Sequence, residues 1–310
     1  MGHSLFAAFF SFLALLPPAV HSLSFATSET KPEPPAVIHI MFAGDMMFDR
    51  TVRTAARAWG DDYLFSCLDP ILGSADLVVA NLEGPITDFP SISEGSLPGD
   101  DKNFTFTFPT STATLLFRHG VHIVNLGNNH ILNFGWDGVR STAAYLKASG
   151  VTYFGDPISQ TVATTSINGV RLAFIAYNEF APRGFGSEAT TSAQIHAARM
   201  HGFLPIVYTH WGDEYVPATT DEKRLAHQFI EAGAEMVIGS HPHVVQEHEL
   251  YNGKYIYYSL GNLIFDQYWD DSVRHGLMLD VRFDVIGALS VKELTVKLGH
   301  DRRTCPIAVF

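Results

Sequence analysis

Ala234-Glu235-Met236-Val237-Ile238-Gly239-Ser240-His241-Pro242-His243 decides the fold. The run Ala234–Ile238 is mostly apolar and reads as a buried strand, and the turn residues after it end that strand on two histidines. Imidazole is the commonest protein metal ligand, because its neutral form offers a nitrogen lone pair. A lone His-x-His is weak evidence. Three other strand-like runs end in polar, metal-competent residues: Asp45, Glu83 and Asn129-His130. A further one, Leu204–Thr209, ends at His210. Five strand ends carrying such groups point to one site on a rigid scaffold.

Outward from these runs, the chain alternates strand and helix. Val37–Phe42, Asp76–Ala80, Val121–Leu126 and Leu204–Thr209 read as strands. Thr51–Trp59, Asp137–Ser149, Ser192–Gly202 and Asp221–Ala232 read as helices, and a helix capped by Thr110 or Ser111 runs to about Arg118. Phe104–Phe108 alternates with period two and predicts a half-buried strand. Asn168-Gly169 and Asn252-Gly253 lie between apolar runs and predict two hairpins. Gly276–Asp284 and Ser290–Leu298 close the domain as strands. Asp88–Lys102, rich in Ser, Gly, Pro and Asp, marks a long surface loop. Alternation implies an α/β layer protein and the hairpins add antiparallel pairs, so a mixed sheet pair flanked by helices is expected.

The chain has 310 residues with a formal net charge of −12. That balance argues against non-specific nucleic-acid binding, which needs a basic footprint. Leu5–Leu16 is almost wholly apolar and Val20-His21-Ser22 suits cleavage, so residues 1–22 read as a secretion signal. An uncleaved membrane anchor is the alternative. Residues 23–35 read as a flexible leader, 36–300 as the one domain and 301–310 as a tail. Asn103-Phe104-Thr105 is a glycosylation sequon, of use only in a eukaryotic source. Cys67 and Cys305 are the only cysteines. In a secreted chain they are free to pair, but sequence does not show their proximity.

Asp45, Glu83, Asn129, His210, His241 and His243 are the candidate metal ligands. Carboxylate, amide oxygen and imidazole together suit Zn, Mn or Fe, at one or two sites, rather than a thiolate centre. Glu83 is the candidate bridge between two ions, and His130 beside Asn129 is the candidate general acid. Arg50 and Asn81 are placed at an anionic substrate, small or polymeric. Singly, each residue has a structural explanation, since Asp and Asn after glycine-rich turns often bond their own backbone. There is no Gly-x-Ser-x-Gly elbow and no Walker-type phosphate loop.

Phe42–Arg50, Asn81-Leu82-Glu83-Gly84-Pro85, Asn128-Asn129-His130, Thr209-His210-Trp211-Gly212, Gly239–His243 and Tyr258-Ser259-Leu260-Gly261-Asn262 resemble, in order, the CapA family of capsule-synthesis and poly-γ-glutamate biosynthesis proteins. That family is related to calcineurin-like metallophosphoesterases. The resemblance implies a four-layer α/β/β/α sandwich with two mixed sheets and a site at the strand ends. It also implies a secreted metal-dependent hydrolase linked to an anionic polymer, or else a non-catalytic accessory to polymer assembly or export. Met47 stands where the wider phosphoesterase pattern has histidine. A thioether ligates hard ions poorly, so the metal position nearest Asp45 is expected to be poorly held.

Overall fold

The structure is a computed structural model that describes residues 1–2, 37–97, 99–158, 162–182 and 186–307. The chain divides into two units, Met1–Pro34 and Pro35–Phe310. The signal and leader expected over residues 1–35 lie outside the described residues, apart from Met1 and Gly2. Everything below concerns the second unit.

In chain order its first half holds β1 (Ile38–Met46), α1 (Arg50–Trp59), α2 (Asp69–Leu72), β2 (Leu77–Leu82), α3 (Thr112–Arg118), β3 (Ile123–Asn125), α4 (Gly135–Ser149) and β4 (Thr152–Phe154). The second half holds β5 (Val162–Ile167), β6 (Val170–Asn178), α5 (Glu188–Met200), β7 (Leu204–His210), α6 (Thr220–Glu231), β8 (Met236–Ser240), β9 (His248–Tyr251) and β10 (Lys254–Tyr257). The chain then returns through β11 (Asn262–Ile264), β12 (His275–Phe283), β13 (Ala288–Leu298) and β14 (Thr304–Pro306). One sheet has eight strands, ordered β14-β13-β12-β1-β2-β3-β4 with β11 also on β1, and the other has six, ordered β5-β6-β7-β8-β10-β9.

Strand alternation builds the layers. Ile38, Ile40 and Phe42 point into the core shared with Leu172, Phe174, Ile206, Tyr208 and Ile238 of the other sheet. Their neighbours Met41 and Ala43 point the opposite way, onto Val52, Leu116, Val139 and Leu146 of α1, α3 and α4. On the far side Val207 and Val237 pack against Ile195, Leu225 and Phe229 of α5 and α6. Period-two side chains on strands buried on both faces give helix, sheet, sheet and helix in that order. The expected four-layer sandwich is therefore what the chain forms. Both hairpins are present, with Asn168 and Asn252 each at φ 49, the left-handed geometry that a two-residue Asn-Gly turn requires.

Two segments differ from the sequence expectation. Phe104–Phe108 is not a strand, because side chains take its backbone donors. Thr107 N donates to Asp49 Oδ2 at 2.8 Å and Phe106 N to Asn133 Oδ1 at 2.8 Å. What remains is one isolated bridge, Ile86 to Phe108. Residues 304–306, expected in a tail, pair with β13, and Cys305 is disulfide-bonded to Cys67 with Cα atoms 4.9 Å apart. The domain thus runs past residue 300.

Candidate metal centre

Parallel strands of both sheets deliver the site at their C-terminal ends, the usual place for ligands in α/β proteins. In the larger sheet Asn262, Asp45, Asn81 and Asn125 lie side by side across β11, β1, β2 and β3. In the smaller sheet Asn178, His210 and Ser240 form the matching row across β6, β7 and β8. The two rows are held close. Tyr208 donates its hydroxyl to the Ala43 carbonyl, and Leu260 N donates to Gly239 O at 3.0 Å. A Cβ on Gly239 would lie 1.7 Å from the Tyr258 carbonyl oxygen, so only glycine permits the approach.

Asp45, Glu83 and His210 form one cluster of donor atoms within 4.8 Å of one another, all buried; Glu214, His241 and His243 form a second. His243 joins them, with Nδ1 3.4 Å from Asp45 Oδ2 and Nε2 3.4 Å from Glu83 Oε1. Asn129 Oδ1 reaches His210 Nε2 at 2.9 Å. His241 presents its backbone N–H to Asp45 Oδ2 at 3.2 Å. His241 and His243 have φ of 99 and 56, a left-handed backbone that non-glycine residues adopt only under constraint, and such strain concentrates at functional sites.

The electrostatics call for a cation. Glu83 is fully buried, and burial together with the Asp45 charge holds its carboxyl well above the ordinary range. Its Oε1 and the Nδ1 of His241 are buried without a hydrogen-bond partner. Burial keeps the imidazoles neutral: His210 is pushed well below its ordinary value, His241 to about 3 and His130 to about 4. Converging carboxylates and neutral imidazoles with orphaned acceptors fit a divalent metal ion, which would satisfy both at once.

Around the donors, amides fix orientation. Asn262 gives its NH2 to the carbonyls of His243 and Val273 and to Gln267 Oε1, at 3.3, 2.9 and 3.0 Å. Its Oδ1 is left to accept from His243 Nδ1 at 3.0 Å, so His243 Nε2 carries the lone pair toward Glu83. His130 follows the same logic. Asn133 Oδ1, already accepting from Phe106 N, takes the His130 Nδ1 proton at 3.0 Å. Nε2 then faces Glu83 Oε1 at 3.8 Å as a base. The general acid expected at His130 would need a proton on Nε2, which burial disfavours in the resting state.

Asn81, expected at a substrate, is wholly buried. Its NH2 lies 2.8 Å from Asp45 Oδ1 and its Oδ1 accepts from Asn125 and Asn128 at 3.1 and 3.2 Å; it orients the first aspartate. Arg50 is likewise engaged, with Asp266 at 2.5 Å and Asn103 Oδ1 at 3.1 Å. Met47 turns into the outer core, fully buried, with its sulfur 3.0 Å from Asp49 N. Asn103 is buried and bonded to Ser96, so its amide is sequestered in the folded chain. Glu214, missed in the sequence, lies just past the Thr209–Gly212 motif, and nothing local distinguishes it from its neighbour Asp213. Ser240 and Asn262 lie within the quoted motifs, yet only the fold assigns them roles.

A carboxylate, amide and imidazole cluster at the strand ends of an α/β/β/α sandwich defines a metallophosphoesterase-like protein. The profile described as "Bacterial capsule synthesis protein PGA_cap" matches residues 39–267, and the chain belongs to that family. It is 29% identical over 250 residues to the PGA biosynthesis protein CapA of Bacillus subtilis, covering 75% of this chain and 64% of that protein. It is 28% identical over 281 residues to the capsule biosynthesis protein CapA of Bacillus anthracis, covering 84% of this chain and 67% of that protein. A probable polyglutamine synthesis accessory protein of Mycobacterium tuberculosis is 26% identical over 220 residues, 62% of this chain and 56% of that protein. The chain thus spans about two thirds or less of the length of these relatives. A hypothetical protein from Thermus thermophilus shares the fold, with a TM-score of 0.54 at 16% identity over 84% of this chain and 99% of that one.

Proposed function

We propose that the protein is an extracytoplasmic metal-dependent hydrolase acting on an anionic, carboxylate-bearing polymer of the poly-γ-glutamate type. The observation that carries this is Glu83. Its buried carboxylate belongs to one donor cluster and reaches the other, Oε1 lying 3.4 Å from His243 Nε2 without a hydrogen bond, as a bridge between two ions would. Asp45, Glu83, Asn129 and His210 would hold one ion, and Glu214, His241 and His243 another. A divalent ion supplies Lewis acidity toward a carbonyl or phosphoryl oxygen and makes water more acidic.

The chain's own residues do the rest. Asn262 and Ser240 fix the histidine tautomers, and Asn81 holds Asp45 in register. His130 Nε2 takes the proton released by the attacking water and returns it to the leaving group. The Phe106 ring, 4.2 Å from that of His130, keeps water from its face. The disulfide supports an oxidising compartment, where such bonds persist. Among the described residues no helix is long and apolar enough to cross a membrane.

The Mycobacterium relative's name favours a second reading, a non-catalytic accessory that binds polymer. Turnover separates the two. Metal-loaded protein should release fragments from γ-glutamyl oligomers faster than it hydrolyses an aryl phosphate. Tight oligomer binding with no fragment released would favour the accessory reading.

A further inference from the structure

Outside the donor clusters lies a cleft of about 330 Å³ whose lining includes Arg50, Thr51, Asn103, Asp266, Trp269 and Arg302. Two sets of aromatic contacts lie between it and the site. Arg50 lies over Phe106 and Phe265, at 4.9 and 5.4 Å from their centroids, and those rings pack on His130 and His243 at 4.2 and 4.7 Å. Trp269 meets Tyr215 edge-on at 5.4 Å, and Tyr215 stacks on His243 at 6.2 Å. Phe106 and Phe265 are buried and wall the cleft off from the donors, whereas Trp269 and Tyr215 are exposed, so the Trp269–Tyr215 edge is the surface along which a chain bound at the donors would reach the cleft.

The two arginines of the cleft differ. Arg50 is neutralised by Asp266, whose other oxygen accepts from Thr51 at 2.8 Å. Arg302 forms no ion pair among the described residues; the nearest carboxylate of the cleft, Asp266, is already paired with Arg50 and reaches Arg302 only through the shared Thr51 hydroxyl. Arg302 is held by the Thr51 hydroxyl at 2.9 Å, by the His300 carbonyl at 2.9 Å and by the Tyr268 ring beneath it at 4.3 Å. Its backbone sits at φ 73, in the left-handed region, which fixes where the side chain starts. A guanidinium so braced, with no ion pair of its own on a chain of net charge −12, is a preorganised anion receptor. With Nε on Thr51 and Nη1 on the His300 carbonyl, the outer Nη2 edge is the part of the guanidinium that can donate in plane to an anion.

We propose that this cleft is a polymer subsite in which Arg302 binds the free carboxylate of a residue adjoining the one at the donor clusters, with Trp269 covering the methylene stem. The carboxylate role expected for Arg50 thus passes to Arg302. The proposal rests on the carboxylate-polymer reading above.

Calorimetry with a γ-linked glutamate tetramer, its α-amidated counterpart and inorganic phosphate tests it on the full chain loaded with Mn. Wild type should bind the tetramer well above the amide. Arg302→Ala should weaken tetramer binding about tenfold to a hundredfold, as loss of a charged hydrogen-bond pair does, with metal content and amide binding unchanged. Arg302→Lys should recover part of the loss if charge matters and little of it if the fork does; a melting temperature equal to wild type shows that the variants fold. Equal tetramer binding by wild type and Arg302→Ala overturns the subsite alone. A wild type that holds metal but ignores the tetramer overturns the polymer reading and the subsite with it. Phosphate bound more tightly than tetramer and lost in Arg302→Ala makes the cleft a phosphate site, which also overturns the proposal.

Discussion

His210 Nε2 and Asn129 Oδ1 face each other at 2.9 Å, and the His210 tautomer decides whether they share a proton or oppose two lone pairs. Ser240 sets that tautomer. Its hydroxyl donates to the Thr209 carbonyl at 2.7 Å, so toward His210 Nδ1, 3.0 Å away, it accepts. Asn81 Nδ2 lies 3.4 Å from the same Nδ1, but its shorter bond runs to Asp45 Oδ1 at 2.8 Å; with Ser240 as the closer partner the proton is assigned to Nδ1 and the lone pair to Nε2, against an amide oxygen. Two lone pairs so placed are relieved by a cation.

Ser240→Ala should therefore lower metal affinity without removing any ligand. Loss of a group that orients a ligating histidine costs about 10- to 100-fold in affinity, readable by competition with a chelator. Unchanged affinity would mean that His210 takes its tautomer from elsewhere.

His130 should separate from the ligands in the same assay. His130→Ala should retain metal while turnover falls about 10²- to 10⁴-fold, the usual contribution of a positioned proton carrier. Metal lost along with activity would make His130 a ligand.

Metal-free protein should be squeezed by pH from both sides. His130 and His241 have folded values of about 4 and about 3, below the ordinary 6.5, through burial. The unfolded chain takes up those protons first, so stability falls as pH drops below about 6.5 and the loss is complete near 3. Glu83 acts in the opposite direction. Its raised carboxyl keeps a proton that the unfolded chain has given up, so its contribution is lost as pH rises through its folded value. Melting temperature of chelator-treated protein against pH should show a maximum that broadens when Mn or Zn is restored. A flat profile without metal would contradict the buried, uncompensated site.

Cys67→Ser should cost about 2–5 kcal/mol, since the bond to Cys305 closes almost the whole domain into one loop. Thermal melts with and without reductant on wild type should match those of the variant. No difference would show that the β13–β14 pairing alone holds the C-terminus.

The parts of this site legible in sequence are those where strand and ligand are contiguous. β1, β2, β7 and β8 are apolar runs that end on Asp45, Glu83, His210 and His241, so periodicity locates strand and donor together. Residues whose role depends on what lies opposite were not legible. The partners of Asn81 and Arg50, Asp45 and Asp266, are far from them in sequence and emerge only from the fold. Met47 looks like a ligand position until its side chain turns into the core. The Phe104–Phe108 alternation does not carry over into burial, since Phe106, Thr107 and Phe108 are all buried and Phe104 is exposed. Asp49 and Asn133, distant in sequence, took the donors a ladder would have used.

Metal content of protein purified without chelator is the most direct measurement. Wild type should carry one or two divalent transition-metal ions per chain, and the double variant His241→Ala/His243→Ala should lose the ion that those residues share with Glu214. Added Mn or Zn should raise the melting temperature of stripped wild type, because an ion that binds only the folded state stabilises it by mass action. A wild type that contains no metal and whose melting temperature is indifferent to added Mn or Zn would contradict the metal centre.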